Sequence, residues 1–229
     1  MPDTAYLQRR AQIEHYFDRT AAKAWERLTS DAPLGRIRAS VRAGRDAMRE
    51  TLLQWLPLDL QGQRVLDAGC GTGLLAQALA ERGAQVLAVD LSPTLIELAR
   101  QRQAEGSTNV QYLAGDMLDD ALGDFDYMVA MDSLIHYEPQ QLADALQRLA
   151  PRVRQAMLFT FAPRTPALAL MHGVGRWFPR GERSPALQPM AQTRLRPLLN
   201  QALGAAWQEG RGQRISRGFY TSQAWEWHR

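Results

Sequence analysis

Lysine is nearly missing from this 229-residue chain. Lys23 is the only lysine among 27 basic residues. The rest are arginines, whose flat fork suits carboxylates and phosphates; genome base composition is the plainer source of such a bias. Cysteine is equally scarce. Cys70 stands alone, which excludes an intrachain disulfide framework and fits a reducing cytoplasm. Cys70 itself reads as a small residue packed in a turn. No Cys/His cluster has zinc spacing, so no protein-bound metal is expected. No run of about 18 apolar residues exists, so no transmembrane span is expected. The stretch Met1 to Gln12 lacks the apolar core of a secretory leader. A net charge of +3 gives no argument for a nucleic-acid partner. Repeats and low-complexity tracts are absent, while a hydrophobic content of 45% is ample for a core.

What is present centres on Val65-Leu66-Asp67-Ala68-Gly69-Cys70-Gly71-Thr72-Gly73. A short buried strand runs into a glycine-rich turn, and Leu74, Leu75, Ala78 and Leu79 then repeat with helical spacing. The glycines let the backbone turn tightly and approach a ligand. The helix start faces that ligand with unpaired N–H groups. Dinucleotide sites share this logic. Asp67 separates the two cases: at the strand end its carboxylate can accept from an ammonium and would repel a pyrophosphate. That favours S-adenosyl-L-methionine, whose methionine end carries an amine, over NAD.

Three regions follow from the pattern: an N-terminal helical cap over 1–56, a cofactor-binding core over 57–162, and an insertion with closing strands over 163–229, all in one compact unit. A helix is expected from Tyr6 to Trp25, with Ile13, Tyr16, Phe17, Ala21 and Trp25 on its apolar side. After a break near Pro33, a second helix spans 36–56. Arg38, Arg42, Arg45 and Arg49 form one stripe along it, beside Ile37, Val41, Met48 and Leu52. The stripe can hold an acidic substrate, or it is a solvated face partly neutralised by Asp46 and Glu50.

From residue 64 strands alternate with helices: strands at 64–67, 85–90, 110–114, 125–131 and 156–161, helices at 73–82, from Pro93 to about Arg102, and at 139–150. Ser92 reads as an N-cap ahead of Pro93. This alternation implies a parallel sheet with helices on both faces and ligands at the carboxyl ends of the strands. Prolines punctuate 163–210, with an apolar helix-length segment at 168–178 and a helical stretch near 190–206. A strand near 206–210 or 212–216 and the stretch Ile215 to Gln223 can form a closing antiparallel pair. Trp225 to Arg229 are expected to pack on the edge or fray.

Asp67, Asp90 and Asp116 all fall at strand ends. Asp90 lies 17 residues after Gly73, near the spacing at which a carboxylate reads a ribose diol. Asp116 can accept from an adenine amine while Met117 packs on the ring. With the glycine turn, these acids resemble class I S-adenosyl-L-methionine-dependent methyltransferases over roughly 60–162. That resemblance implies a Rossmann-like fold with a mostly parallel seven-stranded sheet. It also implies a donor site made of Asp67, Gly69, Gly71, Gly73, Asp90, Leu91, Asp116, Met117 and Met131. His136 follows the fourth strand and is the best candidate base or orienting group; a structural histidine at a helix start is the other reading. His15, His172 and His228 suit packing or surface roles.

Segments outside the glycine turn resemble the magnesium-protoporphyrin IX O-methyltransferase family. They are Tyr16 to Ala21 with Trp25, Arg36 to Arg45, Leu134-Ile135-His136-Tyr137, Phe161-Ala162-Pro163, Leu168 to Gly181, and Phe219-Tyr220. The resemblance implies methyl transfer to a propionate carboxylate of magnesium protoporphyrin IX in (bacterio)chlorophyll biosynthesis. It implies His136 and Tyr16 as catalytic residues, and Arg38, Arg42, Arg45, Trp25 and Tyr137 as porphyrin-binding residues. The carboxylate is already ionised at neutral pH, so His136 need only position it or remove a residual proton. Hand-over from the large subunit of magnesium chelatase and peripheral membrane contact are also implied. The amphiphilic stretch Met171–Phe178 suits either a membrane surface or a buried helix. Two other functions stay open: methylation of another small acidic or phenolic compound, such as a quinone precursor, and a non-catalytic carrier.

Overall fold

The computed structural model describes residues 4–16, 18, 35–103, 109–164 and 187–229. Helices α1 (Thr4–Tyr16) and α2 (Arg36–Trp55) precede the first strand, β1 (Arg64–Ala68). The chain then alternates through α3 (Leu74–Glu81), β2 (Gln85–Asp90), α4 (Pro93–Arg102), β3 (Val110–Ala114), β4 (Phe125–Ala130), α5 (Pro139–Leu149) and β5 (Val153–Phe161). It closes with α6 (Gln192–Leu203), β6 (Gln208–Arg217) and β7 (Tyr220–His228). The strands form one seven-stranded sheet in the order β3-β2-β1-β4-β5-β7-β6. Strands β1 to β5 pair in parallel, and β7 runs antiparallel to both β5 and β6. The mostly parallel sheet is what the alternation implied, and the seven-stranded arrangement is the one implied by the resemblance to class I methyltransferases.

The buried strands read as unbroken apolar runs because helices cover both faces. Leu66, Val89, Met128 and Phe159 point to one face, where α5 and α6 pack. Val65, Val86, Tyr127 and Leu158 point to the other, with Met48 and Leu52 of α2, Leu79 of α3 and Ile96 of α4. Local signals set the helix ends. Ser92 Oγ accepts from the Leu95 N–H at 3.2 Å, with Pro93 in the first turn. Glu138 and Gln141 make a reciprocal capping box on α5.

Three expectations need correction. Strand β5 starts at Val153, ahead of the expected 156, because Val153 pairs with Phe125 although the next two residues, Arg154 and Gln155, are exposed. The tail neither frays nor packs on an edge. Strand β7 runs to His228 and lies between β5 and β6, with Trp225 and Trp227 fully buried. Trp225 stacks among Phe159, Phe161 and Trp227 at ring distances of 6.2, 5.8 and 5.6 Å. Glu226, the one acid among these last residues, is buried against the Arg211 guanidinium. The two candidate segments for the penultimate strand are one strand, β6, irregular between Glu209 and Gly212.

Helix α2 is seated on the β6–β7 hairpin. Gly44 faces Tyr220 so closely that an added Cβ would overlap the phenol ring. At the helix start Ser40 Oγ accepts from the Phe219 N–H at 3.3 Å. At its end Arg211 donates to the Trp55 carbonyl at 2.6 Å.

Candidate active site

The strand order reverses between β1 and β4, so the loops leaving those strands part and open a crevice at their carboxyl ends. A cavity of about 300 Å³ lies there. Its floor is Asp67 with the turn Gly69–Thr72, its sides are Asp90, Leu91, Asp116 and Met117, and its far wall is Met131 to Ser133 with His136 and Tyr137. Ile13 of α1 and Arg42, Arg45, Asp46 and Arg49 of α2 complete it.

The glycine turn is built for close approach. Gly69, Gly71 and Gly73 all have positive φ, at 83°, 56° and 82°, which glycine adopts at no steric cost. A Cβ on Gly69 would overlap Ser133, and one on Gly73 would overlap the Tyr112 hydroxyl. At Gly71 nothing among the described residues stands within 4 Å, so that face of the turn is open to the cavity.

Each strand-end acid has its own environment. Asp67 is fully buried and pushed up to about 7, first by burial and then by the Asp90 charge, with the Ala76 N–H of α3 pulling it back. Among the described residues its Oδ2 meets no hydrogen-bond donor. A buried carboxylate oxygen without a donor is costly, and an ammonium group entering the cavity would relieve that cost. Asp90 accepts from the Gly71 N–H at 2.9 Å through one oxygen and from the Ser92 N–H at 2.9 Å through the other. Burial raises its pKa, and those N–H bonds oppose the rise. Asp116 accepts from the Leu118 N–H at 2.9 Å and from Arg10 of α1 at 3.3 Å. Cys70, beside Asp67 and Asp90, has its thiol pushed well up by burial and by those charges.

His136 ends a short 3-10 turn (Leu134–His136), buried with Tyr137 against the cavity. The arginine stripe divides. Arg42, Arg45 and Arg49 line the cavity, whereas Arg38 is exposed and is not part of its lining. Arg49 pairs with Asp46 at 2.9 Å, and Arg45 with Asp132 at 2.7 Å. Tyr16 is half-buried at the end of α1 and does not line the cavity. Trp25, Phe17 and the apolar segment 168–178 lie outside the described residues.

Sequence reasoning missed Asp132, which sits in the left-handed region at φ 56°. Such a conformation costs a non-glycine residue about 1–3 kcal/mol unless its surroundings hold it. Here Arg45, Thr160, Tyr220 and Ser222 all donate to its carboxylate. Only the glutamine-and-serine character of the last strand hinted that a polar group would meet it. The expectation also missed Arg10 and Asp18. Asp18 Oδ1 accepts from Thr94 Oγ1 at 2.6 Å and the Thr94 N–H at 3.2 Å, at the start of α4.

The chain is similar to the "Magnesium-protoporphyrin O-methyltransferase" of Rhodobacter capsulatus, with 46% identity over 97% of each chain. It belongs to the magnesium-protoporphyrin O-methyltransferase family. The family model for the "Magnesium-protoporphyrin IX methyltransferase C-terminus" matches residues 130–229, and a general "Methyltransferase domain" matches residues 65–156. The crystal structure of magnesium protoporphyrin IX methyltransferase from Synechocystis PCC 6803 with bound SAH superposes with a TM-score of 0.83. Its identity is 25%, over 99% of this chain and 100% of that one. A "Ubiquinone biosynthesis O-methyltransferase" of Xanthomonas oryzae pv. oryzae reaches 40% identity, but over only 54% of this chain and 55% of its own. Likeness to this quinone enzyme thus spans about half the chain, whereas the Rhodobacter capsulatus magnesium-protoporphyrin O-methyltransferase matches it nearly end to end.

Proposed function

We infer that this protein is an S-adenosyl-L-methionine-dependent O-methyltransferase that esterifies a propionate carboxylate of magnesium protoporphyrin IX. The observation that carries the reading is the end-to-end match to magnesium-protoporphyrin O-methyltransferase, joined to a cavity whose chemistry suits both reactants. The donor, when bound, supplies an electrophilic methyl on a sulfonium.

The protein's own residues do the rest by position. Asp67 takes the donor's ammonium, which explains a buried carboxylate with one oxygen, Oδ2, left without a donor among the described residues. Asp90, held rigid by two backbone N–H groups, accepts from ribose hydroxyls. Asp116 and Met117 meet the adenine, and Leu91 and Met131 close the apolar walls. His136 and Tyr137 face the same cavity from the β4 loop. We assign His136 to orienting the acceptor carboxylate or removing a residual proton, and Tyr16 to helping it from α1. Arg42 and Arg45 are the cations for acceptor carboxylates, as guanidinium forks engage carboxylates bidentately; Arg38, on the exposed outer part of α2, serves at most the rim. Orientation in a dry site accounts for the acceleration.

We further propose that residues 1–50 and 163–210 cap the porphyrin, with Trp25 among the apolar walls. The protein is cytoplasmic in this reading and touches the membrane peripherally. It takes its substrate from the large subunit of magnesium chelatase. No helix among the described residues is long and apolar enough to cross a membrane.

The test is mass analysis after incubation with S-adenosyl-L-methionine and free magnesium protoporphyrin, chelatase-bound porphyrin, or a quinone precursor. The expected product is the porphyrin with one added methylene, formed faster from the chelatase-bound form. Methylation of the quinone precursor alone overturns the substrate, and binding of both ligands without product overturns the enzyme.

A further inference from the structure

Asp132 combines three features that packing alone does not require together. It holds a left-handed backbone, φ 56°, in the loop between Met131 and Ser133, all three of which line the cavity. Its carboxylate gathers donors from three separate elements: Arg45 of α2 at 2.7 Å, Thr160 of β5 at 3.2 Å, and from β7 Tyr220 at 3.1 Å and Ser222 at 3.2 Å. Its own N–H donates to Thr160 Oγ1 at 2.7 Å, which closes a two-way bond with β5. The next residue, Ser133, donates to the Ala68 carbonyl at 2.7 Å and is pressed against Gly69. The start of the loop that carries His136 is therefore pinned on both sides.

The partners are suited to this. Burial and the neighbouring carboxylate hold the Tyr220 phenol far above its ordinary range, so it stays a donor. Its ring packs on Gly44, one residue before Arg45. Arg45 itself is four-fifths covered, with its side chain only 19% exposed, so its direction is held by protein contacts, the 2.7 Å pair with Asp132 among them, rather than by solvent. An arginine that must meet a carboxylate in a fork geometry gains most when it is held in place before the ligand arrives.

We propose that Asp132 is a positioning residue for acceptor specificity: it docks the Arg45 guanidinium on the cavity wall in the orientation that receives the substrate carboxylate. The assignment rests on the methyl-transfer reading above. It also separates two arginines that sequence spacing treats alike, because Arg49 takes its carboxylate partner from its own helix, Asp46, while Arg45 takes its partner from the catalytic loop.

The test compares wild type with Asp132→Asn, Arg45→Ala and the double variant. Magnesium-protoporphyrin affinity is read from the shift of its absorbance on binding, SAH affinity from calorimetry, and turnover as KM against kcat. Asparagine tolerates the left-handed backbone and keeps an acceptor for Tyr220, so it removes chiefly the negative charge that faces Arg45. Asp132→Asn is expected to weaken porphyrin binding about ten-fold or more, the usual scale for a charged hydrogen bond. SAH affinity is expected to stay within about two-fold, and the double variant to be no worse than Arg45→Ala. Wild-type porphyrin affinity in Asp132→Asn overturns the proposal. So does a loss shared equally with SAH affinity and thermal stability, which would mark a purely structural residue. A wild type that binds porphyrin but forms no ester overturns the assigned reaction and leaves this binding comparison intact. A wild type that binds no porphyrin overturns both.

Discussion

Asp67 and Asp132 are both strand-end carboxylates near one cavity, and they differ in what surrounds them. Asp132 is saturated by four side-chain donors. Asp67 is buried, has one oxygen without a donor among the described residues, and is pushed up to about 7. The sign follows from that rise. A carboxyl whose folded pKa exceeds its ordinary value favours the folded protein fully below about pH 4, and this contribution is lost as pH rises through about 7. A donor ammonium reverses the preference by stabilising the ionised form. At about pH 6, SAH binding is therefore expected to release close to one proton from Asp67, and at about pH 8 close to none. Calorimetry in two buffers of different ionisation enthalpy reads this directly; heats independent of buffer at the lower pH would contradict it. Asp67 was legible in the sequence because a strand end and a glycine turn flank it. Asp132 was not, because its partners lie 28 to 90 residues away.

At the scale of elements, α2 links the outer hairpin to the cavity. Its apolar side, Met48 and Leu52, is buried, and its arginine side reaches the cavity. The helix and its stripe were readable from three- and four-residue spacing. Which arginines face inward was not, because that depends on how the helix is rolled against β7. Gly44 sets the roll by letting the Tyr220 ring lie against the helix backbone. Gly44→Ala is expected to destabilise the protein by about 1–3 kcal/mol, as overpacking does, despite the gain in helix propensity. It should also raise the porphyrin KM as Arg45 is displaced. Urea unfolding and steady-state kinetics check the two parts; unchanged stability would show that the contact yields without cost. Strand β7 is the element the sequence concealed. Its alternating charged and aromatic residues look like a surface tail, and only the Arg211–Glu226 pair and the aromatic cluster around Trp225 explain its central place.

Over the whole molecule, the donor site belongs to the sheet and the acceptor side to what is laid upon it. Residues 64–130 supply the glycine turn and the three acids. Helix α1 comes in from the far end of the chain, placing Ile13 in the cavity wall and Arg10 on Asp116, while Asp18 binds the start of α4. Deleting residues 1–30 is expected to abolish porphyrin turnover while the remaining protein stays folded and binds SAH, measured by product mass, circular dichroism and calorimetry. Turnover intact after the deletion would remove the cap from the proposal.

The sequence by itself determined the alternating strands and helices, the glycine turn, the three strand-end acids and the arginine helix. These rest on local signals: apolar runs, turn residues and spacing within a few residues. Only the tertiary structure decided that β7 lies inside the sheet, that Arg45 and not Arg38 faces the cavity, and that Asp132 joins α2, β5 and β7. Those facts depend on pairings between distant residues, where burial and hydrogen-bond satisfaction act across the whole fold and leave no periodic trace along the chain.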